Sequence, residues 1–151
     1  MHDLKSRIVS VEHDKHWHDS LISIVKSENL DDIITFIYAP LANYSIAVEE
    51  NLWYDTAILD AKLTNSVHFD LVLVDGPPAM NQKIAKSRYP AFAYIHTMLA
   101  DEFSLYLDDV DRPGEIWIAG QWARTFNISF TIKNGTLGYF LKGPSFNLEI
   151  Y

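Results

Sequence analysis

Three short apolar runs in this chain end in acids. Glu12 follows Ile8-Val9-Ser10-Val11, Asp75 follows Phe69 to Val74, and Asp108-Asp109 follow Phe103 to Leu107. Taken singly, carboxylates at strand ends are ordinary turn and cap residues. Gathered at one edge, they repel one another and need a cation or hydrogen-bond donors to offset their charge. His13, His16 and His18 form a second cluster. At helical spacing His13 and His16 share a face and His18 points elsewhere. Solvated histidines near a helix start are therefore the ordinary reading, and a zinc site, which gathers three or four convergent ligands, is the rival. His68 and His96 are isolated and read as surface or hydrogen-bonded structural residues. Cysteine is absent, which removes thiol nucleophiles and disulfides and fits a reducing compartment. No Gly-x-Ser-x-Gly elbow and no Gly-x-x-x-x-Gly-Lys-Ser/Thr loop occurs, which disfavours a hydrolase and a nucleotide triphosphatase.

The elements that must position these acids follow from periodicity. Ile8 to Glu12 reads as a strand, Asp14 as the cap of a helix, and Trp17, Leu21, Ile24 and Val25 as that helix's apolar stripe. Ile33 to Tyr38 is a second strand, near-continuously apolar and stopped by Pro40, as expected for a strand buried on both faces. Trp53, Ala57, Ile58 and Ala61 keep helical spacing, so a crossover helix falls within 41–65. The Trp53-Tyr54 pair reads as core or as a pocket wall. Phe69 to Asp75 is a third strand, cut off by Gly76-Pro77-Pro78. A helix is predicted over 87–101 on Phe92, Ile95, Met98 and Leu99, then a strand over Phe103 to Leu107. A further helix is predicted with Asp111 as cap and Pro113 in its first turn. Ile128 to Lys133 and Thr136 to Lys142 flank Asn134-Gly135, a strong hairpin signal.

The chain has 151 residues, 48% of them hydrophobic, with twelve Lys plus Arg against twenty Asp plus Glu and a formal net charge of −8. That length and composition suit one domain, 1–151, with a core of its own. The acidic balance repels phosphate backbones, so no nucleic-acid partner is expected. No apolar run approaches the ~20 residues that span a bilayer, and the first residues carry no signal-peptide core. A soluble cytoplasmic domain with no membrane partner is the expectation. Strands alternating with helices predict an α/β fold, a mostly parallel sheet flanked by helices and closed by a C-terminal antiparallel hairpin.

The strings Val9-Ser10-Val11-Glu12-His13-Asp14 with Trp17, Phe69-Asp70-Leu71-Val72-Leu73-Val74-Asp75-Gly76-Pro77-Pro78, and Leu107-Asp108-Asp109-Val110-Asp111-Arg112 together resemble class I S-adenosylmethionine-dependent methyltransferases. The resemblance is to the small-molecule and sugar-associated branch and covers Ile8 to Lys142. It implies a Rossmann-like fold and the transfer of a methyl group from S-adenosylmethionine to an oxygen or nitrogen of a small molecule. Glu12 would accept hydrogen bonds from the ribose hydroxyls, since a carboxylate offers two acceptor oxygens to a vicinal diol. Ala39-Pro40-Leu41 would flank the adenine, and Asp75 would lie at the methyl-donor pocket. Asp109 and Arg112 would serve the acceptor side as catalytic candidates. In the metal-dependent O-methyltransferases the corresponding positions hold Mg²⁺, which implies a site at Asp75, Asp108 and Asp109. Asp109 stands where that pattern usually has Asn.

This sequence departs from the family pattern at its start. No strand and Gly-rich turn precede Glu12, and the first glycine is Gly76. An N-terminally incomplete domain lacking the first β-α unit is the expectation. In the family the missing strand lies between the strands that here are 8–12 and 70–75. Those two must therefore pair directly or leave backbone groups facing a gap, each unpaired buried group costing about 1–3 kcal/mol. Exposed strand edges of that kind favour a homo- or hetero-oligomer. The alternative to an enzyme is a non-catalytic methyltransferase-like module or partner subunit that has lost cofactor binding.

Overall fold

Asp14 separates the first strand from the first helix. Its Oδ1 accepts the backbone N–H of Trp17 at 2.9 Å, satisfying one of the free donors of the first turn. In the computed structural model, which describes residues 6–63, 68–133 and 135–143, the chain runs β1 (Ile8–Glu12), α1 (Lys15–Ser27), β2 (Ile34–Tyr38), β3 (Leu41–Ala42), β4 (Trp53–Tyr54), α2 (Thr56–Lys62), β5 (Phe69–Val74), α3 (Pro90–Ile95), a 3₁₀ turn (His96–Met98), β6 (Leu99–Leu107), α4 (Pro113–Phe126), β7 (Thr131–Lys133) and β8 (Leu137–Lys142). The expected order of strands, helices and hairpin is present, with Asn134 outside the described residues.

Among the described residues the strands form three separate sheets. β1 pairs with β2 in parallel, Ile8 opposite Ile34 through Glu12 opposite Tyr38. β3 pairs with β4 antiparallel. A four-stranded sheet has the order β5-β6-β8-β7, with β5 and β6 parallel and the other pairs antiparallel. Among the described residues no ladder joins β1 to β5. Of the two outcomes left open by the sequence, the gap is the one observed.

One core nonetheless runs beneath both sheets. Ile37 and Ala39 at the end of β2, Trp53 and Tyr54 of β4, Leu59 of α2, Val74 of β5, Phe92 of α3, Leu105 and Leu107 of β6, and Ile118 and Trp122 of α4 form a single buried cluster, with Val9, Val11 and Val72 packed against it. Because side chains alternate along a strand, β5 turns Val72 and Val74 into this core and Leu71 and Leu73 to its other face, where they are 42% and 60% exposed. Helix α1 lies on the face of the β1–β2 sheet turned away from that core, against Phe36 and Tyr38 through the ring of His18.

Several local expectations need correction. The apolar stripe of α1 is out of phase with the one predicted: Trp17 and Ile24 are each 55% exposed, whereas His18 and Val25 are buried. The inward face is His18, Leu21, Ile22 and Val25, and a histidine filling an apolar position hid it. The helix predicted over 87–101 begins at Pro90, whose fixed φ suits a first turn, and gives way to β6 at Leu99, which pairs with Phe69. The cap of α4 is Arg112 and not Asp111. Trp53-Tyr54 is a short buried strand, so the helical spacing expected from Trp53 holds only from Thr56. Among the described residues no helix is long and apolar enough to cross a membrane.

The uneven cover of the apolar residues has a measurable consequence. Trp122→Ala should lower stability by about 3–5 kcal/mol in urea unfolding, the range for truncating a large buried aromatic. Ile24→Ala in the same protein should change it by no more than about 0.5 kcal/mol.

Candidate functional site

The carboxyl ends of β1 and β5 meet at one side chain, Tyr54. Its ring lies edge-on to His13, centroids 6.4 Å apart. Its hydroxyl sits so close to Gly76 that a Cβ there would stand 2.5 Å from it. Burial pushes the Tyr54 phenol well above its usual range, and the charges of Glu12 and Asp75 push it the same way. Glu12 and Asp75 thus both approach Tyr54 from two strands that among the described residues share no ladder. The Oε1 of Glu12 accepts from the backbone N–H of Asp14 at 2.7 Å and lies 3.0 Å from Nδ1 of His13. Both contacts use one oxygen and leave Oε2 as an acceptor. Leu41, in β3, is the register partner of Tyr54 and so stands beside it.

A buried guanidinium organises the other side. Arg88, 4% exposed, precedes α3 and reaches back to the ends of β5 and β6. Its Nε donates to the carbonyl of Pro77 at 3.3 Å, and its Nη1 donates to the carbonyl of Asp108 at 3.2 Å and to Oδ2 of Asp109 at 3.0 Å. Its Nη2 reaches Oδ1 of Asp75 at 3.4 Å. Arg112 Nη1 pairs with the same Asp109 Oδ2 at 2.8 Å. Asp109 has φ +61°, a left-handed conformation that Asp and Asn tolerate better than most residues. Beneath them lies Glu115, fully buried in the first turn of α4, its Oε1 3.3 Å from Arg88 Nη1 and neither oxygen hydrogen-bonded among the described residues. Burial raises its carboxyl above the usual range, and Arg88 opposes that shift.

The structure therefore brings Glu12, Leu41 and Asp75 near Tyr54, and Asp75, Asp108 and Asp109 to Arg88, with Arg112 on Asp109. Oxygens of Asp75, Asp108 and Asp109, the residues for which the resemblance implies Mg²⁺, lie within 4.8 Å of one another. Arg88 already supplies the offsetting positive charge at hydrogen-bond distance from two of the three, so a divalent ion placed there would face a fixed cation. The donor set fits a guanidinium and not an added metal. The histidines do not converge: His13 meets Glu12 and Tyr54, while His18 is buried beside Asp19 with its ring against β2. Arg88, Glu115 and the bridging role of Tyr54 were missed by sequence reasoning. The one signal for Arg88 was an unassigned cation in a chain whose acids gather at strand ends.

Neither the models of known protein families nor the curated proteins yield a match. Solved structures do. A methyltransferase from Geobacter sulfurreducens aligns at a TM-score of 0.57 and 12% identity, covering 91% of this chain and 58% of that one. The METTL16 MTase domain aligns at 0.53 and 14%, covering 89% and 49%. The N-terminal domain of human METTL16 in complex with SAH aligns at 0.50 and 14%, covering 89% and 50%. The chain has the methyltransferase fold. It spans about half the length of these structures, and at such low identity the likeness concerns the fold alone. Within that fold, the Glu12–Tyr54–Asp75 cleft lies at the carboxyl ends of the parallel strands, the edge at which open α/β sheets hold ligands.

Arg88 and Glu115 set two expected outcomes. Arg88→Met should cost about 3–5 kcal/mol in urea unfolding, because it leaves a buried carboxylate without its counter-charge; adding Glu115→Gln should recover part of that loss. The folded state holds the Glu115 proton more tightly than the unfolded chain does. Its contribution is therefore most favourable below the usual Glu range and is lost as pH rises through the elevated value. Glu115→Gln alone should gain stability relative to the parent protein as pH rises from about 4 to neutrality, as read by melting temperature across pH.

Proposed function

We propose that this chain is the nucleoside-holding and acceptor-side part of an S-adenosylmethionine-dependent methyltransferase domain that acts on a small molecule. The convergence of Glu12 and Asp75 on Tyr54, at the carboxyl ends of parallel strands in a methyltransferase fold, is the observation that carries it. The residues fit a nucleoside on three counts. Glu12 has a free acceptor oxygen for a ribose diol. Leu41 offers an apolar wall beside it. Asp75, whose side chain is 66% exposed and only distantly touched by Arg88, keeps acceptor capacity toward a cationic donor. When bound, the cofactor supplies an electrophilic methyl group, which moves by in-line displacement. Asp109 and Arg112, held together and steadied by Arg88, would position the acceptor at the rim. A small acceptor suits a chain whose net charge of −8 repels polyanions.

The lack, among the described residues, of a ladder joining β1 to β5 favours a second role, a non-catalytic module or partner subunit. Calorimetry separates the two. The adenosylhomocysteine product, titrated to millimolar concentration, should release heat. Glu12→Gln should weaken the affinity about tenfold or more, the scale of a lost charge-assisted hydrogen bond. A silent titration of the parent chain would leave the non-catalytic role.

A further inference from the structure

Five aromatic rings follow one another toward the amino end of β6, the end away from Asp75 and Asp108. The ring of His96 lies 5.3 Å from that of Phe126, Phe126 lies 4.3 Å from Phe92, Phe92 lies 6.5 Å from Phe103, and Phe103 lies 5.6 Å from Phe140. Successive planes are inclined by 49° to 56°, so the row presents both faces and edges. Phe92 and Phe103 are buried as ordinary core. Phe126 and Phe140 are only partly buried, as are Leu99 and Ile128 beside them. Between these residues the structure leaves an opening of about 400 Å³, within the range of small-molecule sites.

The charge at this opening runs against that of the molecule. The chain has a formal net charge of −8, yet none of the residues lining the opening is acidic, and one is Lys142. Lys142 pairs with Phe103 across β6 and β8, and its Nζ stands 5.9 Å from the centroid of that ring. Among the described residues it makes no ion pair; Glu102, which abuts Gly143, does not reach it. The Nδ1 of His96 lies 2.7 Å from the carbonyl of Ala93, which holds the imidazole against Phe126 as part of the wall.

We propose that this opening binds a small aromatic monocarboxylate, its ring set against Phe126 and Phe140 and its carboxylate on the Lys142 ammonium. Tilted rings accept a further ring edge to face, a contact that an aliphatic chain does not make. A cationic guest would meet the charge of Lys142 at close range, and a neutral one would leave that charge without its partner. The site is separate from the cleft at Tyr54, since it lies at the opposite end of β6.

The test titrates 2-naphthylacetate into the 151-residue chain and follows assigned methyl and aromatic NMR signals. Those of Leu99, Ile128, Phe126 and Phe140 should shift on one saturable curve, with a dissociation constant of about 1 mM for a ligand of this size. Those of Leu41 and Tyr54 should stay in place. The amide 2-naphthylacetamide keeps the rings and loses the charge, and should bind about tenfold more weakly, the scale of a charge-assisted hydrogen bond. The aliphatic acid decanoate should bind about fivefold more weakly for want of ring contacts. Lys142→Met, at an exposed position, should keep the parent's urea midpoint and bind acid and amide alike. The amide comparison uses the parent chain, so it stands whatever the variant does to folding. No saturable shift, equal shifts at Tyr54, or an amide or decanoate that matches the aromatic acid overturns the proposal. Binding that appears only once residues 144–151 are removed overturns it too, and gives the opening to that segment.

Discussion

One apolar core beneath two sheets that, among the described residues, share no ladder governs this structure. Hydrophobic burial is non-directional and needs only contact, so Val9 and Val11 of β1 can share a core with Val72 and Val74 of β5 without a ladder between them. Backbone pairing is directional and admits no such latitude. The result is a molecule whose packing is continuous where its hydrogen bonding is not. The lack of a ladder between β1 and β5 among the described residues and the uncovered Leu71 and Leu73 are two signs of the same discontinuity.

The polar counterpart is Arg88. A guanidinium presents donors in several directions at once, and here it holds the carbonyls of Pro77 and Asp108 together with the carboxylates of Asp109 and Asp75. It fixes the loop after β5 against the loop after β6, and so sets where Asp75 and Asp109 stand at the cleft. Its burial above Glu115 makes the arrangement sensitive to charge, because neither ion keeps the solvation it has in water. The same guanidinium offsets the charge of two of the three clustered aspartates, Asp75 and Asp109.

The methyltransferase fold is recognisable at identities of 12% to 14% because a parallel sheet with crossover helices is fixed by apolar periodicity and handed connections. Those features survive replacement of nearly every side chain. Chemistry does not follow as readily, since it depends on a few polar groups placed to within an ångström or so. Glu12, Asp75 and Asp109 stand at the edge where such groups are found.

Periodicity and turn chemistry in the sequence determined the order of strands and helices, the Asp14 cap, the terminal hairpin, and the placing of Glu12, Asp75 and Asp108-Asp109 at strand ends, because each of these is written in neighbouring residues. It also placed two strands, Ile8–Glu12 and Phe69–Val74, whose carboxyl ends carry acids. Only the tertiary structure decided that those strands stay apart, that α1 turns His18 inward and Trp17 outward, that residues 99–102 leave the helix to pair in β6, and that Arg88 joins the aspartates. Each of these rests on contacts between residues far apart in the chain, such as Arg88 with Asp109 or Leu99 with Phe69, and such contacts leave no local pattern.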